Sequence, residues 1–324
     1  MQLQEVLDRY ADDLRIIEEY LEAQQQSYVH LIPEIARHII QSGGKRLRPL
    51  LLIICSDLCG YRGDRRYTLA AVMEFIHTAS LLHDDVIDHA DLRRGKVSAN
   101  RVWGNSASVL VGDYLYSKSF KILAEDEDTA VQKLLSMTTT TMVEGEIVQL
   151  VRVGNADITE KEYLSVIEKK TAVLISASCA VGAILARSPQ SHIEALARFG
   201  MRLGMAFQLT DDTLDYMAAE EEFGKAVGKD LMEGKVTLPV IEAFRKGAPE
   251  ERTAMKEIIE RKAAGDGDVE RIMSLIGAHG GIQYALSKAG HYIKEAKSFL
   301  KPFADSAPKQ SLVAISDYVI ARRL

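Results

Sequence analysis

The sequence predicts an all-α protein organised as one domain over residues 1–324. Three observations carry that expectation. Apolar residues recur at helical spacing through almost the whole chain, strand alternation is nearly absent, and no Pro-rich linker, low-complexity run or shift of composition marks a domain boundary. Length alone suggests about two domains, but large one-domain folds are common.

The elements follow in order. Val6, Tyr10, Leu14, Ile17 and Leu21 form the first apolar stripe. Helical runs then cover Leu50–Leu58, Leu69–Val86, Ser106–Leu123, Ala130–Val151, Glu160–Leu185 and Ser191–Leu214. Later runs occupy Leu238–Phe244, Glu250–Arg261, Val269–Ile276, Ile282–Leu300 and Ser311–Arg322. Thr159 and Glu162 make a capping box ahead of Tyr163. GDGD at Gly265–Asp268 and HGG at His279–Gly281 read as turns, and Pro302 and Pro308 bracket a break before the last helix. EDED at Glu125–Asp128 reads as a turn without a basic counterpart, and the glycine- and charge-rich segment Phe223–Thr237 as a long functional loop.

Composition sets limits on function. A net charge of −6 and a pI near 5.8 argue against nucleic acid as the main partner. Cys55 and Cys59 lie one helical turn apart, but no Cys or His cluster completes a zinc site; with Cys179 they read as buried reduced thiols. The acidic, amphipathic N-terminus has no apolar signal core. The longest apolar window, Thr171–Ala186, is shorter than the roughly 20 residues of a membrane span. A cytoplasmic protein is expected.

Two segments carry chemistry. LLHDDVID at Leu81–Asp88 returns as QLTDDTLD at Gln208–Asp215. On a helix, residues four apart share a face, so Asp84 lies over Asp88 and Asp211 over Asp215. Such a motif is either a solvated acidic helix end or a holder of a hard divalent cation, for which carboxylate oxygens are the natural ligands. Its occurrence twice, each time among apolar neighbours, favours the cation. Basic residues stand nearby in sequence: Lys45 and Arg48 in GGKRLRP (Gly43–Pro49), Arg93 and Arg94, Lys169 and Lys170, and Lys225, Lys229 and Lys235. Glycine permits close backbone approach, and Arg grips phosphate with two hydrogen bonds. His77, two turns ahead of Asp84, is either structural or a donor to a diphosphate.

GGKRLRP, LLHDDVIDHADLRRG, KKTA at Lys169–Ala172, FQLTDDTLDY at Phe207–Tyr216 and GKDLMEGKVTLP at Gly228–Pro239 occur in the order seen in trans-isoprenyl diphosphate synthases. The resemblance runs from about Ser42 to Pro239. It implies the isoprenoid synthase type of fold, an antiparallel helical bundle around a deep central cavity. It also implies condensation of isopentenyl diphosphate with an allylic prenyl diphosphate. Asp84, Asp88, Asp211 and Asp215 would hold several Mg²⁺ ions, with Asp84, Asp85, Asp88, Arg93, Lys170 and Asp211 as the catalytic set. Arg93, Lys170, Gln208 and Lys225 would grip the allylic diphosphate; Lys45, Arg48, His77 and Arg94 resemble the isopentenyl diphosphate site; Thr171 and Lys235 would add contacts.

The same resemblance bears on product length. Ala79 and its neighbour Ser80, just ahead of Asp84, are small where short-chain members carry bulky aromatics. Either the tunnel stays open for a long, near-octaprenyl product of the kind used in quinone side chains, or helices simply pack closely there. Tyr116, Met137 or Met142 would then form a deeper floor. A homodimer and brief membrane contact during product release are further implications. Arg322 and Arg323 would close over the second diphosphate or fray. A terpene cyclase, a shorter-chain synthase, a silent subunit of a heteromeric synthase and a helical scaffold with structural metal are the competing readings. The second acidic motif, the intact motif residues and the basic clusters count against all but the shorter-chain synthase.

Overall fold

The computed structural model describes residues 2–217, 228–261 and 265–321; Lys225, Arg322 and Arg323 lie outside the described residues. In chain order come α1 (Leu3–Arg9), α2 (Ala11–Gln24), α3 (Leu31–Ile40), α4 (Leu47–Leu58), α5 (Arg65–Ile87), β1 (Leu92–Arg93), β2 (Lys96–Val97), α6 (Ala99–Trp103), α7 (Asn105–Asp126) and α8 (Thr129–Arg152). They are followed by α9 (Glu160–Ile167), a π-helical turn (Glu168–Ala172), α10 (Val173–Leu185), α11 (Gln190–Leu214), α12 (Lys229–Met232), α13 (Leu238–Lys246), α14 (Pro249–Glu260), α15 (Asp266–Ala278), α16 (Gly281–Ser298) and α17 (Ala307–Ala321). The all-α expectation holds. Among the described residues the only sheet is a two-stranded ladder that pairs Leu92 with Val97 and Arg93 with Lys96.

The chain divides into two compact units. The first comprises Met1–Thr139, Ala177–Ala197 and Pro302–Ala314. Its centre is α5, about 34 Å long at 1.5 Å per residue. Leu69, Val72, Phe75, Ile76, Ala79 and Leu82 are buried around nearly the whole helix, which is the pattern of a central rather than a surface helix. Helices α2, α4 and α7 pack on it, with α4 contributing the unbroken buried run Leu50–Ile54. A charged network pins its start, where Arg66 binds Asp13 at 2.9 Å and Asp57 at 2.5 Å.

The second unit comprises Thr140–Ser176, Arg198–Lys301 and Ile315–Leu324. Within it α13 packs on α15 and α16, and Gly281 brings the start of α16 against the Pro239 carbonyl. Among the described residues no helix is long and apolar enough to cross a membrane.

Several sequence expectations need correction. The predicted run Glu160–Leu185 is interrupted by the π-helical turn, and the predicted loop Phe223–Thr237 contains α12 in its described part. GDGD is not wholly a turn, since α15 begins at Asp266. EDED does have a basic counterpart: Arg65 pairs with Asp126 at 2.7 Å and with Asp128 at 3.2 Å. Helix α3 lies outside the expected runs. Pro33 interrupts its pattern, yet falls in the first turn, where the missing N–H costs nothing.

Two glycines with opposite surroundings test this packing. A Cβ on Gly182 of α10 would lie 2.7 Å from the Leu52 carbonyl oxygen and 2.7 Å from the Ser56 nitrogen of α4, so backbone would have to move. A Cβ on Gly290, inside α16, meets nothing within 4 Å. Gly182→Ala should destabilise the protein by about 1–3 kcal/mol. Gly290→Ala should stabilise it by about 0.5–1 kcal/mol. Urea denaturation reads both signs.

Candidate active site

In the first unit α5 ends on the acidic motif, with Asp84 in its last turn and Asp88 as its C-cap residue. The C-terminus of a helix carries partial negative charge, so carboxylates there raise the local energy and a cation lowers it. Asp85, between them, points elsewhere and is fully buried. Its Oδ1 accepts hydrogen bonds from Nε of Arg93, at 2.8 Å, and from Nη2, while its Oδ2 has no hydrogen-bond partner. Its carbonyl accepts from the Ala90 N–H and the Asn100 side chain. Burial pulls the Arg93 guanidinium down, but the Asp85 hydrogen bonds and the charges of Asp85, Asp84 and Asp88 hold it above its usual range.

The chain then turns back as the β1–β2 hairpin. Its two tip residues, Arg94 (φ 52°) and Gly95 (φ 78°), both adopt the left-handed conformation that tight two-residue hairpins require. Lys96 donates to the Gln41 carbonyl and the His38 ring meets the Val97 carbonyl, tying the hairpin to α3 and the residue that follows it. Arg94 thus faces the glycine loop. A Cβ on Gly44 would lie 2.7 Å from its Nη1, and the φ of 143° at Gly44 is a conformation that favours glycine. Arg46 (φ 45°) anchors the loop through Glu74 at 2.9 Å, Glu18 at 2.5 Å and the Ile40 carbonyl at 2.8 Å.

Arg48, in the first turn of α4, differs. Its Nε is buried without a partner, and among the described residues no carboxylate pairs with it or with Arg94. Burial, with Arg94 adding to it, pushes the Arg48 guanidinium down to about 10. Burial, then Arg46 and Arg93, lowers Arg94 as well. His77 is driven well below its usual range by burial and by Arg48, Arg94, Arg93 and Arg46, so its ring is neutral. The corner is short of negative charge. Lys45 precedes Arg46 in the same loop and is exposed.

Ala79 is fully buried in α5, and the Ser80 hydroxyl donates to the His77 carbonyl at 2.8 Å. His83 stacks on Tyr116 with centroids 6.2 Å apart, and burial with the Asp84 charge pushes the Tyr116 phenol up to about 12. Of the other floor candidates, Met142 is buried and Met137 is 61% exposed.

In the second unit the π-helical turn carries Lys169, Lys170 and Thr171. Such a turn adds a residue to a helix and often marks a functional site. Gly145 of α8 admits it closely; a Cβ there would lie 2.7 Å from Lys169 Cβ. Lys170 pairs with Glu146 at 2.6 Å. Thr171 donates to Gln208 Oε1 at 2.9 Å, Gln208 Nε2 donates to Asp212 Oδ1 at 2.6 Å, and the Tyr163 hydroxyl donates to Asp212 Oδ2. Lys170, Thr171, Gln208, Asp212, Asp230 and Lys235 line a cavity of about 130 Å³. Asp211 is exposed, and Asp215 accepts the Asp230 N–H at 2.9 Å. Lys235 pairs with Glu233 at 2.8 Å.

Burial pushes Asp212 up to about 6, and burial likewise raises Asp215 and Asp230. Negative charge is crowded here beyond what solvent relieves. Among the described residues no three His, Cys, Asp or Glu side chains form a ready metal cluster. Each acidic motif nonetheless offers oxygen donors one turn apart in a setting that a hard cation relaxes, so the residues fit a divalent ion. Glu74, Glu146 and Tyr163 take part in these arrangements without any motif spacing to announce them, whereas Asp230 lies within GKDLMEGKVTLP without having been singled out. Asp212 repeats the position of Asp85, which is the one signal that marks it in sequence.

A sequence model of the family described as Polyprenyl synthetase matches residues 29–276. The chain is 37% identical over 324 residues to octaprenyl diphosphate synthase of Escherichia coli, covering 99% of each. It superposes with a TM-score of 0.95 on a polyprenyl synthase from Caulobacter crescentus complexed with calcium and isoprenyl diphosphate, at 37% identity and covering 100% of this chain and 98% of that one. A decaprenyl diphosphate synthase from Rhodobacter capsulatus matches with a TM-score of 0.94 and 39% identity, over 99% of each chain.

The Asp85–Arg93 pair has a measurable structural weight. Removing one partner of a buried ion pair strands the other, so Asp85→Ala should cost about 2–4 kcal/mol in urea denaturation of the metal-free protein. A smaller loss would place Arg93 in solvent.

Proposed function

The chain belongs to the polyprenyl synthetase family, a family of prenyltransferases, and on that premise we propose that it elongates an allylic prenyl diphosphate with isopentenyl diphosphate to a long all-trans product near octaprenyl, of the kind used in quinone side chains. The observation that carries the reading is Arg48, half-buried with a buried Nε that has no hydrogen-bond partner, together with Arg94 and neutral His77, beside an acidic helix end. An anion such as the isopentenyl diphosphate headgroup supplies the charge that corner lacks. Lys45 adds a cation from the glycine loop.

Asp84, Asp88, Asp211 and Asp215 would hold the divalent ions, which we take to be Mg²⁺ and which would neutralise the diphosphate leaving group. Lys170, Arg93, Gln208 and Thr171 would orient the allylic diphosphate, with Lys235 and Lys225 as additional cations. The allylic carbon–oxygen bond breaks and its electron pair leaves with diphosphate. The isopentenyl double bond attacks the carbocation, and a proton is lost to the departing diphosphate. Fixed cations aimed at the developing negative charge lower the barrier. Buried apolar side chains keep water from quenching the cation.

The family match runs through residues of both units, which supports one synthase domain over residues 1–324. We place it in the cytoplasm as a homodimer that meets membrane briefly for product release. Exposed apolar residues Leu110 and Phe120 on α7 support an interface.

Incubation with farnesyl diphosphate, labelled isopentenyl diphosphate and Mg²⁺ should give products of about forty carbons; products ending at fifteen or twenty would favour a shorter-chain synthase, and no turnover a silent subunit. Chelation of the metal should abolish turnover. Ala79→Tyr should shorten the product, because on this reading Ala79 lines the tunnel and the phenol would block the growing tail. Unchanged length would remove Ala79 from the tunnel. Arg48→Ala should raise KM for isopentenyl diphosphate by about ten- to a hundredfold, the weight of a lost charge-assisted hydrogen bond.

A further inference from the structure

Glu74 is a buried carboxylate inside a corner otherwise lined with cations. Its Oε1 accepts from Arg46 Nη1 at 2.9 Å, and its side chain is only 6% exposed. Glu18, which holds the other side of Arg46, is 46% exposed and therefore screened by water. Glu74 sits on α5 one turn ahead of His77, and its charge extends past Arg46 to both Arg48 and Arg94.

Arg46, with its side chain 10% exposed, and the buried Nε of Arg48 are withdrawn from water, which is costly without a counter-charge, and the same low polarity strengthens the charge–charge terms between them and Glu74. With the site empty, a buried carboxylate offsets that cost. With a diphosphate bound, the same carboxylate is a like charge beside it.

We propose that Glu74 is the internal counter-ion of the isopentenyl diphosphate site, stabilising the empty site and weakening the grip on the filled one. The inference rests on the reading of Arg48, Arg94 and His77 as that site. Its use follows from the chemistry of repeated elongation. The diphosphate of each isopentenyl unit stays on the product, so it must leave this site before the next unit enters. A site of maximal affinity would stall after each condensation. Glu74 is a positioning and affinity-setting residue, not a catalytic one.

The test is calorimetric titration of metal-free protein with isopentenyl diphosphate in the presence of a chelator, alongside thermal melting. Glu74→Gln retains an oxygen acceptor for Arg46 but removes the charge. It should bind about three- to tenfold tighter than the wild type. Its unliganded form should melt lower, and under turnover KM for isopentenyl diphosphate and kcat should fall together. Glu18→Gln should change affinity by less than about twofold, because its charge is screened. A residue that merely holds the loop would weaken binding when replaced. If Glu74→Gln does not fold alone, Arg46→Gln and the double variant Arg46→Gln/Glu74→Gln give the same comparison, and the double variant should bind tighter than the single. Equal or weaker binding on loss of the Glu74 charge, in protein that melts cooperatively, overturns the inference. Wild-type affinity in Arg48→Ala would instead overturn the assignment of the site itself.

Discussion

Arg48, half-buried with its Nε out of water, and the exposed Arg94 are neighbouring cations with no carboxylate bonded to either among the described residues, and the surrounding elements are arranged to keep them there. Positive charge in such a place is stable only if something opposes it. The glycine loop brings backbone within reach of the Arg94 guanidinium, and a left-handed Arg46 clamps that loop to α2 and α5 through two glutamates. The hairpin tip, which also needs left-handed backbone, presents Arg94 from the other side. Two of the left-handed non-glycine positions, Arg46 and Arg94, thus stand where charge has to be aimed, and the buried length of α5 gives them a support.

The two acidic motifs solve a shared problem in the same way. In each, the middle aspartate is buried and used as an anchor, Asp85 by Arg93 and Asp212 by Tyr163 and Gln208. The outer pair, Asp84 with Asp88 and Asp211 with Asp215, is left less buried and a turn apart. The anchors differ in kind. A full cation neutralises Asp85, whereas Asp212 receives only neutral hydrogen bonds and its pKa rises to about 6 because burial outweighs them. Four-residue spacing on a helix presents one face, and the odd residue between is free to lock that face in place.

Much of this was legible in the sequence because it is written in periodicity and charge. The stripes that bury α2, α5 and α11, the capping box at Thr159 and the repeated Asp-Asp-x-x-Asp follow directly from local physics. Features set by tertiary contact were not. The hairpin is two residues per strand, too short for alternation to register, and Arg94 carries a positive φ that no residue preference announces. The π-helical turn lies in an unbroken helical pattern, and only the close approach of Gly145 marks it. Glu74, Glu146 and Tyr163 each look like ordinary helix residues until a cation or carboxylate from a distant segment arrives beside them.

Arg48 and Arg94, without bonded carboxylates among the described residues, are placed to receive a diphosphate. A crystal structure of the protein with isopentenyl diphosphate bound tests this most directly. Phosphate oxygens should lie within hydrogen-bonding distance of the Arg48 and Arg94 guanidinium groups, with the Arg48 Nε engaged and Arg46 still on Glu74. A diphosphate bound elsewhere, with Arg48 Nε unengaged in the occupied structure, would contradict it.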